Sequence, residues 1–256
     1  MSALFFVIGL LASFLGAACG IGGGVIIKPA LDFFADAATV SFLSGCTVLA
    51  MSAYTTAKNA AGKERYIQWR VMLPLSIGAA AGGTAGKYAF QLLADAFLSM
   101  RAAGRIQAVC LAALAAGTLV YLLCRERVRP RQARHPVLCV LAGCALGMIS
   151  GFLGIGGGPI NLAVLCHFFG MNTKAAARNS VALICISQAA ALTTILVTRS
   201  VPAFVPMVLL LMILGGILGG EAGRRLQRAL SRKAMHQMLI ALMGLIMGLS
   251  IYGALK

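Results

Sequence analysis

"CGIGGGVIIKPAL" occupies residues 19–31, and "LGIGGGPINLAVL" occupies residues 153–165. The pentapeptide Gly-Ile-Gly-Gly-Gly thus begins at Gly20 and again at Gly154, each time inside a strongly apolar stretch. Within a continuous helix glycine costs about 1 kcal/mol per residue relative to alanine. Clustering the worst helix formers there marks a point where a helix stops, the backbone turns and a second half-helix starts. Pro159 suits the first turn of such a half-helix, where its missing N–H costs nothing.

The surroundings of the motifs identify the medium. Hydrophobic residues make up 60% of the chain and charged ones 11%, with a mean hydropathy of +0.92. Soluble domains are nearer half apolar and a quarter charged. Residues 38–57, 71–86, 106–123, 137–166, 179–198 and 200–220 contain no Asp, Glu, Lys or Arg. About 20 apolar residues suffice to cross a bilayer as helix. An all-α polytopic membrane protein is predicted, with no room for a soluble domain. The start, "MSALFFVIGLLASFLGAACG", has the hydrophobicity of a signal peptide but no positive leading region, and reads as structural.

A net charge of +16 would suit a nucleic-acid binder, but its basic residues fall in short clusters such as "RERVRPRQARH" (125–135) and "GRRLQRALSRK" (223–233). They form no stripe with interleaved aromatics, so nucleic acid is excluded as a partner. The eight cysteines include no CxxC pair and no Cys/His cluster, so neither zinc nor a disulfide framework is expected, and no cofactor is implied.

At the 134-residue offset of the motifs, Ile26 matches Ile160, Leu31 matches Leu165, Thr39 matches Thr173 and Leu49 matches Leu183. The chain reads as two copies of one unit, 1–124 and 137–256, joined by a basic linker at 125–136. Each copy has a glycine-broken segment (3–34; 137–169) and three spans (about 41–57, 71–92 and 105–124; 176–198, 201–220 and 235–254). If the broken segments crossed the bilayer once, the basic residues would divide evenly between its two sides. If they fold back as re-entrant hairpins, the clusters at 58–70, 125–134, 174–178 and 224–233 all lie in the cytoplasm. Only Lys28, Lys87, Arg101, Arg105, Arg199 and Lys256 then remain elsewhere. The positive-inside rule selects the hairpins, and with them two repeats of inverted topology.

Inverted broken segments bring helix N-termini, with unpaired N–H groups and positive dipole ends, face to face near the midplane. Such a place favours an anion. The candidate residues are Gly20, Ile21, Gly22, Gly23 and Gly24 in the first motif and Gly154, Gly156, Gly157 and Gly158 in the second. Close helix packing, the plainer use of glycine spacing, is assigned instead to Gly78/Gly82/Gly86, Gly215/Gly219 and Gly244/Gly248. Ser44, Cys46 and Thr47 after the first motif, and Asn179, Ser180 and deeper Gln188 after the second, are candidate donors to a dehydrated oxyanion. The 134-residue offset pairs Cys46 with Ser180. Ser44 or Asn179 could equally be an N-cap. Lys28, one turn beyond the first break with Asp32 at i+4, is an intramembrane charge and so a functional candidate, or else half of a local ion pair.

With these stretches in view, the sequence resembles the sulfite exporter family of the TauE/SafE type, small prokaryotic membrane proteins with two copies of a glycine-rich motif. "GIGGGVIIKPAL", "GFLGIGGGPI" and "LSGCTVLAMSAYTTAKNAAGKERYIQW" carry the resemblance, which extends over essentially the whole chain. It implies a multi-pass protein of the cytoplasmic (inner) membrane that moves sulfite, sulfonates or related organic anions. By position it points to Gly20–Gly24, Gly154–Gly158, Cys46 and the Asn179-Ser180 pair. A secondary anion carrier working by alternating access is therefore expected, with a small anion as ligand, lipid around it, protons as a candidate coupling ion and a homodimer left open. A cation or metal carrier is the alternative; it calls for midplane carboxylates, and the six acids fall mostly in loops or at span ends. An enzyme is not expected, because no paired carboxylates or His/Ser dyad stand at a workable spacing.

Overall fold

The computed structural model describes residues 2–31, 34, 36–61, 68–96, 100–124, 135–199 and 201–255. Their regular structure is helical throughout. The first half contains α1 (Ser2–Cys19), α2 (Gly24–Leu31), α3 (Ala37–Ala60), α4 (Trp69–Ala96) and α5 (Met100–Cys124). The second contains α6 (Pro136–Leu153), α7 (Gly158–His167), α8 (Thr173–Val197), α9 (Pro206–Ala229) and α10 (Arg232–Leu255). Both glycine motifs interrupt a helix, as the sequence predicts, and three long helices follow each. Residues 125–134 of the basic linker, and Asp32, lie outside the described residues.

The long helices overrun the expected spans because a helix continues past the apolar slab until something caps it. α3 starts at Asp36, whose carboxylate accepts from the Thr39 amide at 3.0 Å. α8 starts at Asn172, whose Oδ1 accepts from the Ala175 amide at 2.8 Å. Ser44 and Asn179 therefore lie well inside their helices, and neither is an N-cap.

Glycine stripes decide which helices touch. Gly78, Gly82 and Gly86 of α4 lie against the carbonyls of Val140, Cys144 and Met148 of α6, and Gly143, Gly147 and Gly151 return the contact to Leu75, Ala79 and Gly83. Any Cβ at these positions would collide with backbone. Gly215, Gly219 and Gly223 of α9 sit in the same way on Phe6, Leu10 and Phe14 of α1. Backbone-to-backbone approach of this kind is how helices gain contact where lipid removes the hydrophobic drive. Gly244 and Gly248 are different. A side chain on either would meet open space, so the expected packing role does not hold for them.

The contacting residue numbers rise together in α1 and α9, in α3 and α9 (Thr47 on Gly216, Met51 on Gly220) and in α4 and α6. Each of these pairs is parallel. α3 and α8 run antiparallel, since Gly45 faces Gln188 and Leu192 while Val48 and Ile184 meet over Gly22. Among the described residues six helices are long and apolar enough to cross a membrane, located within α3, α5, α6, α8, α9 and α10. The sequence reading counts α4 among the spans and puts α6 in a hairpin. α4 instead has its hydropathy lowered by small residues and by Arg70 and Lys87, whereas the 18-residue α6 is apolar throughout.

Candidate functional site

The two breaks begin alike. α1 ends with Gly20 at φ +72°, and the Ile21 and Gly22 amides both donate to the Gly16 carbonyl, at 3.0 and 3.2 Å. α6 ends with Gly154 at φ +66°, and the Gly154 and Ile155 amides donate to the Ser150 carbonyl, at 3.0 and 3.4 Å. A left-handed glycine with a 6→1 hydrogen bond is the Schellman ending, which a β-carbon disfavours. After the first break the chain doubles back: Gly16 lies under the Gly22 backbone, and Gly23 packs on Ser13. α2 and α7 then start new helices whose first amides have no acceptor within the helix.

The breaks meet each other. A side chain at Gly24 would come within 2.7 Å of the Ile155 carbonyl oxygen, and one at Gly158 would collide with Val25. Ile21 and Ile155 are fully buried at this junction. α3 and α8 enclose it. On α3, Ser41 faces Gly154 and Val48 faces Gly24; on α8, Ala177 faces Gly20, Ile184 faces Gly22 and Gln188 faces Gly156. Helical spacing puts Ser44 on the stripe between Ser41 and Val48, and Ser180 on the stripe between Ala177 and Ile184. Ser44 and Ser180 are both wholly buried. Neither hydroxyl has a hydrogen-bond partner among the described residues, nor do those of Ser13 and Ser41 or the Asn161 Oδ1. Leaving such a group unpaired costs about 1–3 kcal/mol, and these groups gather around the two broken helices.

The pairing of the halves differs from the sequence expectation. The motifs are 134 residues apart, but the caps Asp36 and Asn172 are 136 apart. The extra two residues lie in α7, which has ten residues where α2 has eight, while the connections that follow are equally long. Counted from the caps, Ser44 rather than Cys46 falls at the place of Ser180, and Ser41, on Gly154, at the place of Ala177, on Gly20. Cys46 packs instead in a separate apolar cluster with Phe42, Leu192 and Ile195. Thr47 spends its hydroxyl on the Leu43 carbonyl at 2.8 Å and lays its methyl on Gly216. Asn179 is buried, but its amide serves the scaffold. It donates to the Ala175 carbonyl at 2.8 Å and accepts from the Gln68 amide at 3.3 Å, tying α8 to the start of α4.

Lys28 is buried and reaches across to the other half. Its ammonium donates to the Leu153 carbonyl at 2.6 Å and to Oε1 of Gln107. Nε2 of Gln107 donates to the Phe152 carbonyl at 2.5 Å. Together with Ser250 they line a small cavity between α2, α5 and α10.

Sequence reasoning missed Ser13, Ser41, Gln107 and Asn161. Asn161, the one amide in apolar α7, and Ser41, one turn before Ser44, left a signal; Gln107, 79 residues from Lys28, left none. Of the described acids, Glu221 is held by Arg224 and Arg225 at 2.7 and 2.8 Å, and Asp36 caps α3. No group of three or more His, Cys, Asp or Glu that could hold a metal occurs among the described residues.

A family model, Sulfite exporter TauE/SafE, matches residues 5–251 of the chain. No curated protein and no solved structure matches it.

Proposed function

The chain belongs to the sulfite exporter TauE/SafE family of membrane transporters, and from that premise we propose that it is a secondary carrier of small sulfur-containing anions working by alternating access. The halves 1–124 and 137–256 are inverted repeats joined by a cytoplasmic linker at 125–136, in a prokaryotic cytoplasmic membrane. The parallel pairing of α1 with α9 and of α4 with α6, combined with antiparallel α3 and α8, supports that reading. So does the bias of basic clusters toward one side.

One observation carries the substrate assignment: two abutting helix breaks flanked by buried, unpartnered hydroxyls at the equivalent positions Ser44 and Ser180. Hydroxyls and backbone N–H groups can all donate to an oxyanion. In a low-dielectric setting the half-helix dipoles of α2 and α7 supply its attraction without a fixed cation at the ligand. The substrate's own gradient or protons would drive the cycle.

A carboxylate beside these donors repels an anion or takes its place. Ser180→Asp and Ser44→Asp are expected to abolish sulfite binding measured by calorimetry on the purified protein. Ser180→Ala should weaken it by only about 0.5–1.5 kcal/mol, the worth of one hydrogen bond. Tighter binding of a divalent cation by the aspartate variants, with no anion bound by the wild type, would overturn the reading in favour of a cation carrier.

A further inference from the structure

The two breaks are held by unlike chemistry. The carbonyl end of α1 meets the neutral amide of Gln227, whose Nε2 donates to the Ala17 carbonyl at 3.3 Å. The nearby Arg224 is engaged by Glu221. The carbonyl end of α6 instead meets a charge brought from the first half, with Lys28 on Leu153 and Gln107 on Phe152, while Gln107 also accepts from Lys28. Both carbonyls belong to the last turn of α6, directly before Gly154. A side chain at Gly154 would come within 3.3 Å of the Lys28 nitrogen.

The carbonyl end of a helix carries the equivalent of roughly half a negative charge. Left bare at the second break, that pole would oppose an anion attracted by the amide end of α7. We infer that Lys28 and Gln107 are positioning residues that clasp the carbonyl end of α6 to α2 and α5, fixing the second break and cancelling its negative pole. The ammonium acts through the helix end and does not contact the ligand. Gln107 sets its aim: one amide accepts from Lys28 and donates to the neighbouring carbonyl, an arrangement that neither Leu nor Glu reproduces. At the first break the contact to the carbonyl end of α1 is the neutral amide of Gln227, so the two helix ends are held by different chemistry although their pentapeptides are identical.

The electrostatic part of this inference rests on the anion-carrier reading; the mechanical part does not, and the two separate by experiment. Hydrogen–deuterium exchange on Lys28→Met and Gln107→Leu in detergent is expected to rise at residues 154–158 and stay at the wild-type level at 20–24. Unchanged exchange at 154–158 in both variants would overturn the clasp, whatever the protein binds. Sulfite as the dianion and methanesulfonate, a monoanion with the same SO3 head, then test the field by calorimetry. An electrostatic penalty scales with ligand charge, so a loss of about a hundredfold for sulfite should accompany one of about tenfold for methanesulfonate. Equal losses would reduce the pair to a structural role. Gln107→Leu, which keeps the charge, should lose less than Lys28→Met, and Lys28→Arg should recover much of the sulfite affinity. If the wild type binds neither probe, the anion-carrier reading and the charge-compensating role fall together, while the exchange result still decides the clasp.

Discussion

Gly20–Gly24 and Gly154–Gly158 are the same five residues, yet they trace different paths. Both leave their first helix through a left-handed glycine. In the first motif only Gly20 and Gly22 have positive φ, and Gly24 already belongs to α2. In the second, Gly154, Gly156, Gly157 and Gly158 all do, at +66°, +76°, +105° and +45°. The decisive difference lies one residue beyond, where Val25 is replaced by Pro159. A proline disfavours the right-handed helical region for the residue before it. Gly158 lies outside that region at φ +45°, and positive φ runs over three consecutive glycines. One side chain outside a motif thus reroutes a backbone that the motif alone leaves open.

The broadest way to break the comparison is to test whether the halves are inverted at all. In a background without the eight native cysteines, a cysteine at Arg228 should react only from the cytoplasm, and one at Asp95, its approximate counterpart, only from outside. Reaction of both from one side would leave two parallel halves and no facing half-sites.

Alanine scanning of the breaks sharpens the comparison. Gly20, Gly22 and Gly156 have nearly the same φ, so alanine pays about 1–2 kcal/mol of left-handed strain at each. Their neighbours differ. A side chain at Gly20 would strike the Ala177 backbone, whereas one at Gly22 or Gly156 meets the movable ends of Ile184 and Gln188 at 3.0 and 3.1 Å. Gly20→Ala should therefore abolish transport, while Gly22→Ala and Gly156→Ala lower it to similar, smaller extents. Uptake by proteoliposomes measures this, and a Gly20→Ala protein as active as the other two would refute the close approach to α8.

A smaller effect distinguishes the two registers. Ser44→Ala should weaken sulfite binding by about 0.5–1.5 kcal/mol, as Ser180→Ala does, and Cys46→Ala should leave it unchanged. The reverse result would restore the 134-residue pairing.

Much of the fold was legible because its signals are local. Glycine clusters, charge-free runs and basic loops sit in single stretches of chain, and among the described residues both helix breaks and the three long helices after each follow those stretches, though the helices overrun the expected spans. What was hidden depends on contacts between distant segments. The open environment of Gly244 and Gly248 cannot be told from the packed one of Gly78 and Gly82 by spacing, since both show the same interval. Lys28 announced itself as a buried charge, but its acceptors Leu153 and Gln107 lie 125 and 79 residues away. The matching of Ser44 with Ser180 depends on helical phase. Two residues turn a helix by more than half a revolution, so the offset of 134 pairs Cys46 with Ser180 where the caps, 136 apart, pair Ser44 with it.

That phase is set by the caps, and the smallest effect tests them. Ser44 and Ser180 each lie eight residues after their cap, Asp36 and Asn172. The caps do the same work with different chemistry: a carboxylate accepts from Thr39, an amide oxygen from Ala175. At neutral pH Asp36→Ala and Asn172→Ala should each cost about 1 kcal/mol, read as a fall in Tm of about 2–4 °C in detergent. Acid separates them. Partial burial pushes the Asp36 carboxyl up, but hydrogen bonds from Thr39 and from the backbone of Asp36 and Ala38 outweigh it, leaving the group below its ordinary value. A carboxyl depressed in the folded state contributes stability that is complete above its unfolded pKa and disappears as pH falls through the folded one. The penalty of Asp36→Ala should therefore shrink as the pH is lowered through and below the normal carboxylate range, while that of Asn172→Ala holds constant because an amide does not titrate there. Parallel pH dependence in both variants would mean that the Asp36 carboxylate is not what starts α3, and would remove the basis for matching Ser44 with Ser180.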